Sequence, residues 1–270
     1  GAVPNDDKDD SKIIQAAVLL ASAKGGGAVL LPEGDYFIDN PIRIKQDNIV
    51  LRGADPKKTR LIPRFAGREL SNPRDGGAPY VIDISPDKVN RRYDVYPDQP
   101  VRRGDTSVHL PDDHVKRVRI GDMVVFTSIP PSDVIDTLTP NLKKQTLDGS
   151  YGSIYSWQYL KVVGVEGNVV SFDRPIRLDV AMDQKPKIMH VPTMVSGSGV
   201  ENLTIDQTSI GKQGVHGVLL KETYGCWVKG VTVLKIGSNP ASVSRSWHFE
   251  IRDCRFDESR SAGGAVAYFG

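Results

Sequence analysis

Between Val200 and Phe256 one pattern of apolar and polar positions is written three times. Val200-Glu-Asn-Leu203-Thr-Ile205, Val228-Lys-Gly-Val231-Thr-Val233 and Ile251-Arg-Asp-Cys254-Arg-Phe256 each carry apolar residues at the first, fourth and sixth places. Their starts lie 28 and then 23 residues apart, a period that marks stacked repeats. Strand alternation puts the fourth and sixth residues on one face, so stacking the copies builds the apolar columns Val200/Val228/Ile251, Leu203/Val231/Cys254 and Ile205/Val233/Phe256. Glu201/Lys229/Arg252 and Thr204/Thr232/Arg255 then face outwards. Nine residues before each of the last two copies, Leu219 and Ser242 start a matched stretch, which predicts a second strand in every rung. Gly264 to Phe269 reads as the start of a further rung, so a further segment or chain is expected to complete the stack.

Towards the N-terminus the period changes. Ile13, Ile14, Ala17, Val18 and Ala21 have helical spacing, with Asp6, Asp7, Asp9 and Asp10 before them and Gly25 after them. Short strands follow at Gly25 to Leu31, Tyr36 to Ile38, Pro41 to Ile44 and Asn48 to Gly53. One helix ahead of closely spaced short strands predicts a cap on the open end of a coil, which would otherwise expose apolar core and unpaired strand edges. From Phe65 to Val191 the pattern is that of antiparallel strands around tight turns: Asp105 to Leu110, Arg117 to Phe126 turning at Gly121-Asp122, and Leu160 to Phe172 turning at Glu166-Gly-Asn168. The long segment from Ser128 to Gln158 holds Tyr151, Tyr155 and Trp157, and its length marks it as functional or mobile. The expected organisation is a cap with first coils over 1–64, an inserted β module over 65–191 and coil rungs over 192–270.

With 270 residues, 39% hydrophobic and 25% charged, the chain has the composition of a globular protein with ample core. A net charge of +2 without a basic run speaks against nucleic acid, and no apolar stretch reaches the ~18 residues of a membrane span. Cys226 and Cys254 fall in different columns, which predicts buried free thiols rather than a disulfide.

The order Asp10-Ser-Lys-Ile-Ile-Gln-Ala-Ala17, Gly25-Gly-Gly-Ala-Val-Leu-Leu-Pro-Glu-Gly-Asp-Tyr36, Pro41-Ile-Arg-Ile44 and Val50-Leu-Arg-Gly-Ala54 resembles the N-terminal cap of right-handed parallel β-helix proteins of the pectate-lyase superfamily. The rungs from Val200 to Phe256 resemble that superfamily's coils. The resemblance implies an all-β right-handed parallel β-helix with a capping α-helix, a polysaccharide substrate and a secreted or periplasmic location. It does not imply one reaction, because this cap also occurs in glycosidases, lyases and phage tailspikes.

Paired aspartates would serve inverting hydrolysis, but the corresponding strands offer His216 and Asn239 instead. A lyase needs a cation to neutralise a uronate carboxylate and a base for the α proton. His216, Lys235 and Arg260 are the candidates for that chemistry on one inferred groove, with Asn239, Lys221, Arg245 and His248 as substrate contacts; exposed rung positions and turn hydrogen bonds are their alternative roles. Tyr155 and Trp157 serve equally as a sugar-stacking platform or as core of the inserted module. Asp253 and Asp257 are candidate Ca²⁺ ligands, against an acidic turn paired with Arg252, Arg255 and Arg260. Expected function is therefore β-elimination on a uronate polymer, with a glycoside hydrolase or a non-catalytic tailspike-like β-helix as alternatives.

Overall fold

A computed structural model describes residues 2–65, 79–87, 92–129, 156–191, 193–210, 215–237, 239–258 and 268–269. The chain forms two compact units, a coil of Gly1–Lys88 with Thr193–Gly270 and an insert of Val89–Pro192.

The coil opens on helix α1, Ser11–Ala23, which buries Ile14 and Val18. Its first turn is anchored by Asp9, whose carboxylate accepts the Ser11 backbone N–H at 2.9 Å. Row one is β1 (Gly27–Leu31), β2 (Gly34–Ile38) and β3 (Ile42–Ile44); row two is β4 (Ile49–Gly53), β5 (Thr59–Pro63) and β6 (Tyr80–Ile84). Tyr80–Ile84 lies in the stretch expected for the insert, yet it pairs in parallel with β3.

The insert follows, with β7 (Asp94–Val95), β8 (Ser107–His109), helix α2 (Asp112–Val115), β9 (Met123–Ser128), β10 (Ser156–Glu166), β11 (Val169–Phe172) and β12 (Lys187–His190). These strands make one six-stranded sheet in the order β7-β12-β9-β10-β11-β8, antiparallel throughout. The β10–β11 turn falls where the sequence puts it, at Gly167 with φ 54°. Arg117 to Ile120, in contrast, is not strand. There Arg117 N–H donates to the His114 carbonyl and the Asp122 carboxylate accepts the Arg119 N–H at 3.0 Å, so local turns take up the backbone groups a strand would need.

Re-entering the coil, β13 (Val195–Ser196) leads to row three, β14 (Gly199–Glu201), β15 (Thr204–Asp206) and β16 (His216–Lys221). Then β17 (Thr223–Tyr224) leads to row four, β18 (Trp227–Lys229), β19 (Thr232–Leu234) and β20 (Ala241–Ser244). Row five is β21 (Glu250–Arg252), β22 (Arg255–Asp257) and β23 (Tyr268–Phe269).

The rows stack into three parallel sheets, β1-β4-β14-β18-β21 on the first face, β2-β5-β15-β19-β22 on the second and β3-β6-β16-β20-β23 on the third. This is a right-handed parallel β-helix. Val200 pairs with Leu51 and Val228, Val228 with Ile251, and Ile205 with Leu61 and Val233, so the apolar columns read from sequence are real and run two rows further down. Leu219 pairs with Ser242, as the nine-residue spacing requires. Ile38, Leu51, Leu61, Ile82, Val200, Ile205, Leu220, Val228 and Val233 belong to a single core.

The chain turns between faces through left-handed backbone at matched levels. Asn202, Gly230 and Asp253 (φ 54°, 61°, 56°) turn it from the first face to the second, and Lys235 and Glu258 (53°, 55°) from the second to the third. Glu222 and Arg245 (55°, 47°), then Asn48, Gly197, Gly225 and His248 (59°, 62°, 60°, 53°), turn it from the third to the first. Each non-glycine residue there costs roughly 1–2 kcal/mol of backbone strain, a cost that the ladders on either side hold in place. Both cysteines are free: Cys226 is buried, and Cys254, in the last row, is half-buried rather than buried as expected.

Candidate functional site

The structure divides the sequence-predicted residues among the three corners instead of gathering them in one groove. His216, Lys235 and Asn239 lie along the turn from the second face to the third. Lys221, Arg245 and His248 line the turn from the third face to the first. Asp253 sits at the remaining corner, and Asp257 ends β22. Arg260 and Tyr155 lie outside the described residues. Because β16 runs from His216 to Lys221, the two groups on the third face stand about 16 Å apart at ~3.3 Å per residue.

His216 is only 7% exposed. Its ring stacks on Tyr80 with centroids 4.5 Å apart, and its Nδ1 accepts the Asn239 backbone N–H at 3.0 Å. Burial pushes its pKa down to about 4, so at neutral pH it is an uncharged imidazole packed into the wall. Lys235 is ion-paired with Glu258, across its own corner. The acidic pair expected to take calcium is turned towards arginine: Asp257 meets Arg255 Nη2 at 2.6 Å and Asp253 meets Arg252 Nε at 3.5 Å. Among the described residues no three His, Cys, Asp or Glu side chains converge where a metal ion would sit.

The third-to-first corner is different. From 221 to 225 and from 244 to 248 the chain runs in parallel, one row above the other: Lys221 pairs with Ser244, Glu222 N–H donates to the Ser244 carbonyl, Tyr224 pairs with Trp247, and Gly225 N–H donates to the Trp247 carbonyl. Glu222, 4% exposed, holds Arg245 Nη2 at 2.8 Å through Oε1. Directly beyond this ion pair three rings cluster. Tyr224 and Trp247 meet edge to face at 6.1 Å, and His248 lies 5.3 Å from Tyr224 and 5.2 Å from Trp247. Tyr224 is 39% exposed and His248 is exposed. A rigid corner thus presents aromatic surface, an imidazole and an arginine held from beneath by a buried carboxylate, which is the equipment for packing on a pyranose face and binding its hydroxyl or carboxylate groups.

Tyr224, Trp247 and Glu222 were not singled out from sequence. The signal was present, because Glu222/Arg245, Tyr224/Trp247 and Gly225/His248 are each 23 apart, the same step as Val228 to Ile251.

In the insert, Trp157 is 45% exposed while Gln158 and Leu160 beside it on β10 are buried, so Trp157 is on the outer face and is not core. A polar network lies under that unit's surface. Tyr93 OH donates to Asp122 Oδ2 at 2.6 Å, Arg92 pairs with Asp122, and Arg92 Nε donates to His190 Nε2 at 2.9 Å. Burial would push Asp122 up, but hydrogen bonds from Tyr93, the Arg119 N–H and Arg92 outweigh it and hold the carboxyl below its usual range. Burial, then the bond to Asp122, raises the Tyr93 phenol.

No protein-family model and no curated protein sequence match the chain. Solved structures do. The tailspike of Pseudomonas phage phi297 aligns with a TM-score of 0.54 and 15% identity over 97% of this chain and 41% of its own. The tailspike of Pseudomonas phage LKA1 aligns with a TM-score of 0.52 and 14% identity over 96% of this chain and 43% of its own. The chain therefore spans about two fifths of the length of these tailspikes, and what it shares with them is the parallel β-helix fold.

Proposed function

We propose that this chain is a carbohydrate-active β-helix of the tailspike kind that works on polysaccharide outside the cell, and that the third-to-first corner is where it holds the polymer. The observation that carries the reading is the exposed Tyr224–Trp247–His248 cluster beside the Glu222–Arg245 pair. Parallel rows hold these rings at fixed spacing, so a sugar chain meets them without an ordering cost to the protein.

The finer reading is β-elimination on a uronate polymer, supported by the cations and the imidazole on that same corner. Arg245 and Lys221 neutralise the uronate carboxylate and so acidify the proton beside it. His248, exposed and next to the aromatic surface, takes that proton. The carbon–carbon double bond forms as the bond to the leaving glycosidic oxygen breaks, and water protonates the leaving oxygen. His216, buried and hydrogen-bonded, acts here as a positioning residue for the Asn239 turn.

The test is a panel of uronate and neutral polysaccharides, each assayed for binding, for ultraviolet absorbance of an unsaturated uronate and for reducing ends. Absorbance that rises, and is lost in His248→Ala, supports elimination. Reducing ends without absorbance put hydrolysis in its place, and binding alone makes the chain a recognition module. No binding to any polymer, or binding unchanged in a Tyr224→Ala, Trp247→Ala double variant, overturns the assignment of the corner.

A further inference from the structure

On the first face, two residues past the Gly225 turn of that corner, Trp227 is laid flat on the sheet. A β-carbon added to Gly199, its partner in the ladder, would stand 2.4, 2.5 and 2.6 Å from the indole Cε2, Nε1 and Cδ2 atoms. Near-equal distances to three consecutive atoms of the five-membered ring place that carbon against the ring face, not its edge. Only glycine at 199 lets the indole lie down, and Trp227 is half-buried there.

The ring is also pinned at its edge. Nε1–H donates to Glu201 Oε1 at 2.7 Å, and the other carboxylate oxygen takes Arg52 Nε at 2.6 Å. Each Glu201 oxygen thus has one partner. Among the described residues the two Nη atoms of Arg52 have no hydrogen-bond partner in the protein, and its side chain is 44% exposed. Lys229 stands directly across the ladder from Glu201. The charges along this column run Arg52, Glu201, Lys229, Arg252, with Arg252 already engaged by Glu250 and Asp253. What remains is a fixed aromatic plane flanked by a guanidinium and an ammonium with Glu201 between them, while Glu250, Trp227's other neighbour in the ladder, is paired with Arg252.

We propose that this is a second carbohydrate site, and that it takes an acidic sugar residue. The apolar face of the pyranose packs on Trp227, its carboxylate binds the Arg52 fork, and Lys229 adds charge. Arg52 is bonded to Glu201 through Nε, and its two Nη groups carry its remaining donors. This inference rests on the carbohydrate reading of the chain, but not on the corner or on any reaction there.

The test uses protein labelled with 5-fluorotryptophan, whose three resonances are assigned from Trp157→Phe, Trp227→Phe and Trp247→Phe variants. The probes are a galacturonate trisaccharide and its methyl ester. The Trp227 signal is expected to shift with the acid. Arg52→Lys, which keeps the charge beside Glu201 but loses the fork, is expected to weaken the acid about tenfold and the ester less than threefold. A shift of Trp247 with Trp227 unmoved overturns this site while leaving the corner standing. Equal weakening of acid and ester shows that Arg52 acts only by holding Glu201, and overturns the recognition of charge. Neither signal moving with either probe overturns the site together with the acidic-sugar reading.

Discussion

Acidifying the protein from pH 7 to pH 4 should cost the natural chain more stability than a His216→Gln variant. His216 is neutral in the folded state down to about pH 4, whereas in the unfolded chain it takes up a proton near 6.5. A depressed histidine pKa means that the unfolded state binds more protons throughout that window. The stability from this residue is therefore complete above pH 6.5 and is lost progressively as pH falls towards 4. At 1.36 kcal/mol for each tenfold change, the window is worth about 3 kcal/mol. The near-complete burial of the ring and its stacking on Tyr80 leave solvent little room to reduce this. Glutamine keeps an acceptor for the Asn239 N–H and does not titrate, so it carries the other acid effects of the chain unchanged. Urea unfolding of both proteins at half-unit steps of pH reads the difference, which should open below pH 6.5 and level off near 4. Parallel stability curves would refute the reasoning, since they would mean that His216 is solvated and free to protonate. That outcome would restore it as a candidate base.

Three further outcomes are expected. Lys235→Gly should leave stability unchanged or raise it by about 0.5 kcal/mol in urea, because the corner's left-handed backbone suits glycine and the exposed pair with Glu258 contributes little; polysaccharide cleavage lost at full stability would instead make Lys235 catalytic. Asp122→Asn should destabilise the insert by about 2 kcal/mol, below the full cost of breaking a buried pair because Arg92 is partly in water; hydrogen exchange should speed up in β7, β9 and β12 and not in the coil rows. Gly199→Ala should lift Trp227 off the sheet and red-shift its fluorescence at a cost of about 1–3 kcal/mol; an unchanged spectrum would mean that the ring does not lie on that glycine.

The coil was legible because its signal is redundant. Every rung repeats the alternation, and the column through Val200, Val228 and Ile251 recurs after 28 and then 23 residues. Rows one and two were harder to see, because the residues that stack on row three are far away in sequence: Ile82 pairs with Val218, and Leu51 with Val200. Tyr80–Ile84 is a single strand with no nearby copy to announce it. The corners hid for another reason. Asn and Gly advertise left-handed backbone, but here Lys235, Arg245, His248 and Asp253 also adopt it, and in sequence such residues look like chemistry. Four of the site candidates are corner residues, and their positions are explained first by the turn. What distinguishes the third-to-first corner is the coincidence of rings at one level across two rows, visible only when the 23-residue step is applied to the turns as well as to the strands.

The insert interrupts the coil between β6 and β13, and its two ends are joined to each other. Tyr93 and His190 are bonded through the backbone, and Arg92 Nε donates to His190 Nε2 at 2.9 Å. For a nascent chain this contact bears on how the two parts of the coil meet. Rows one and two can assemble from neighbours, and so can rows three to five, but row three meets row two only by closing a loop of about 100 residues. Once the insert has folded, that loop shrinks to the few residues outside the Arg92–His190 clasp, which lowers the entropy of closure by about 2 kcal/mol. An insert that folds before the coil closes would therefore ease the pairing of row three with row two.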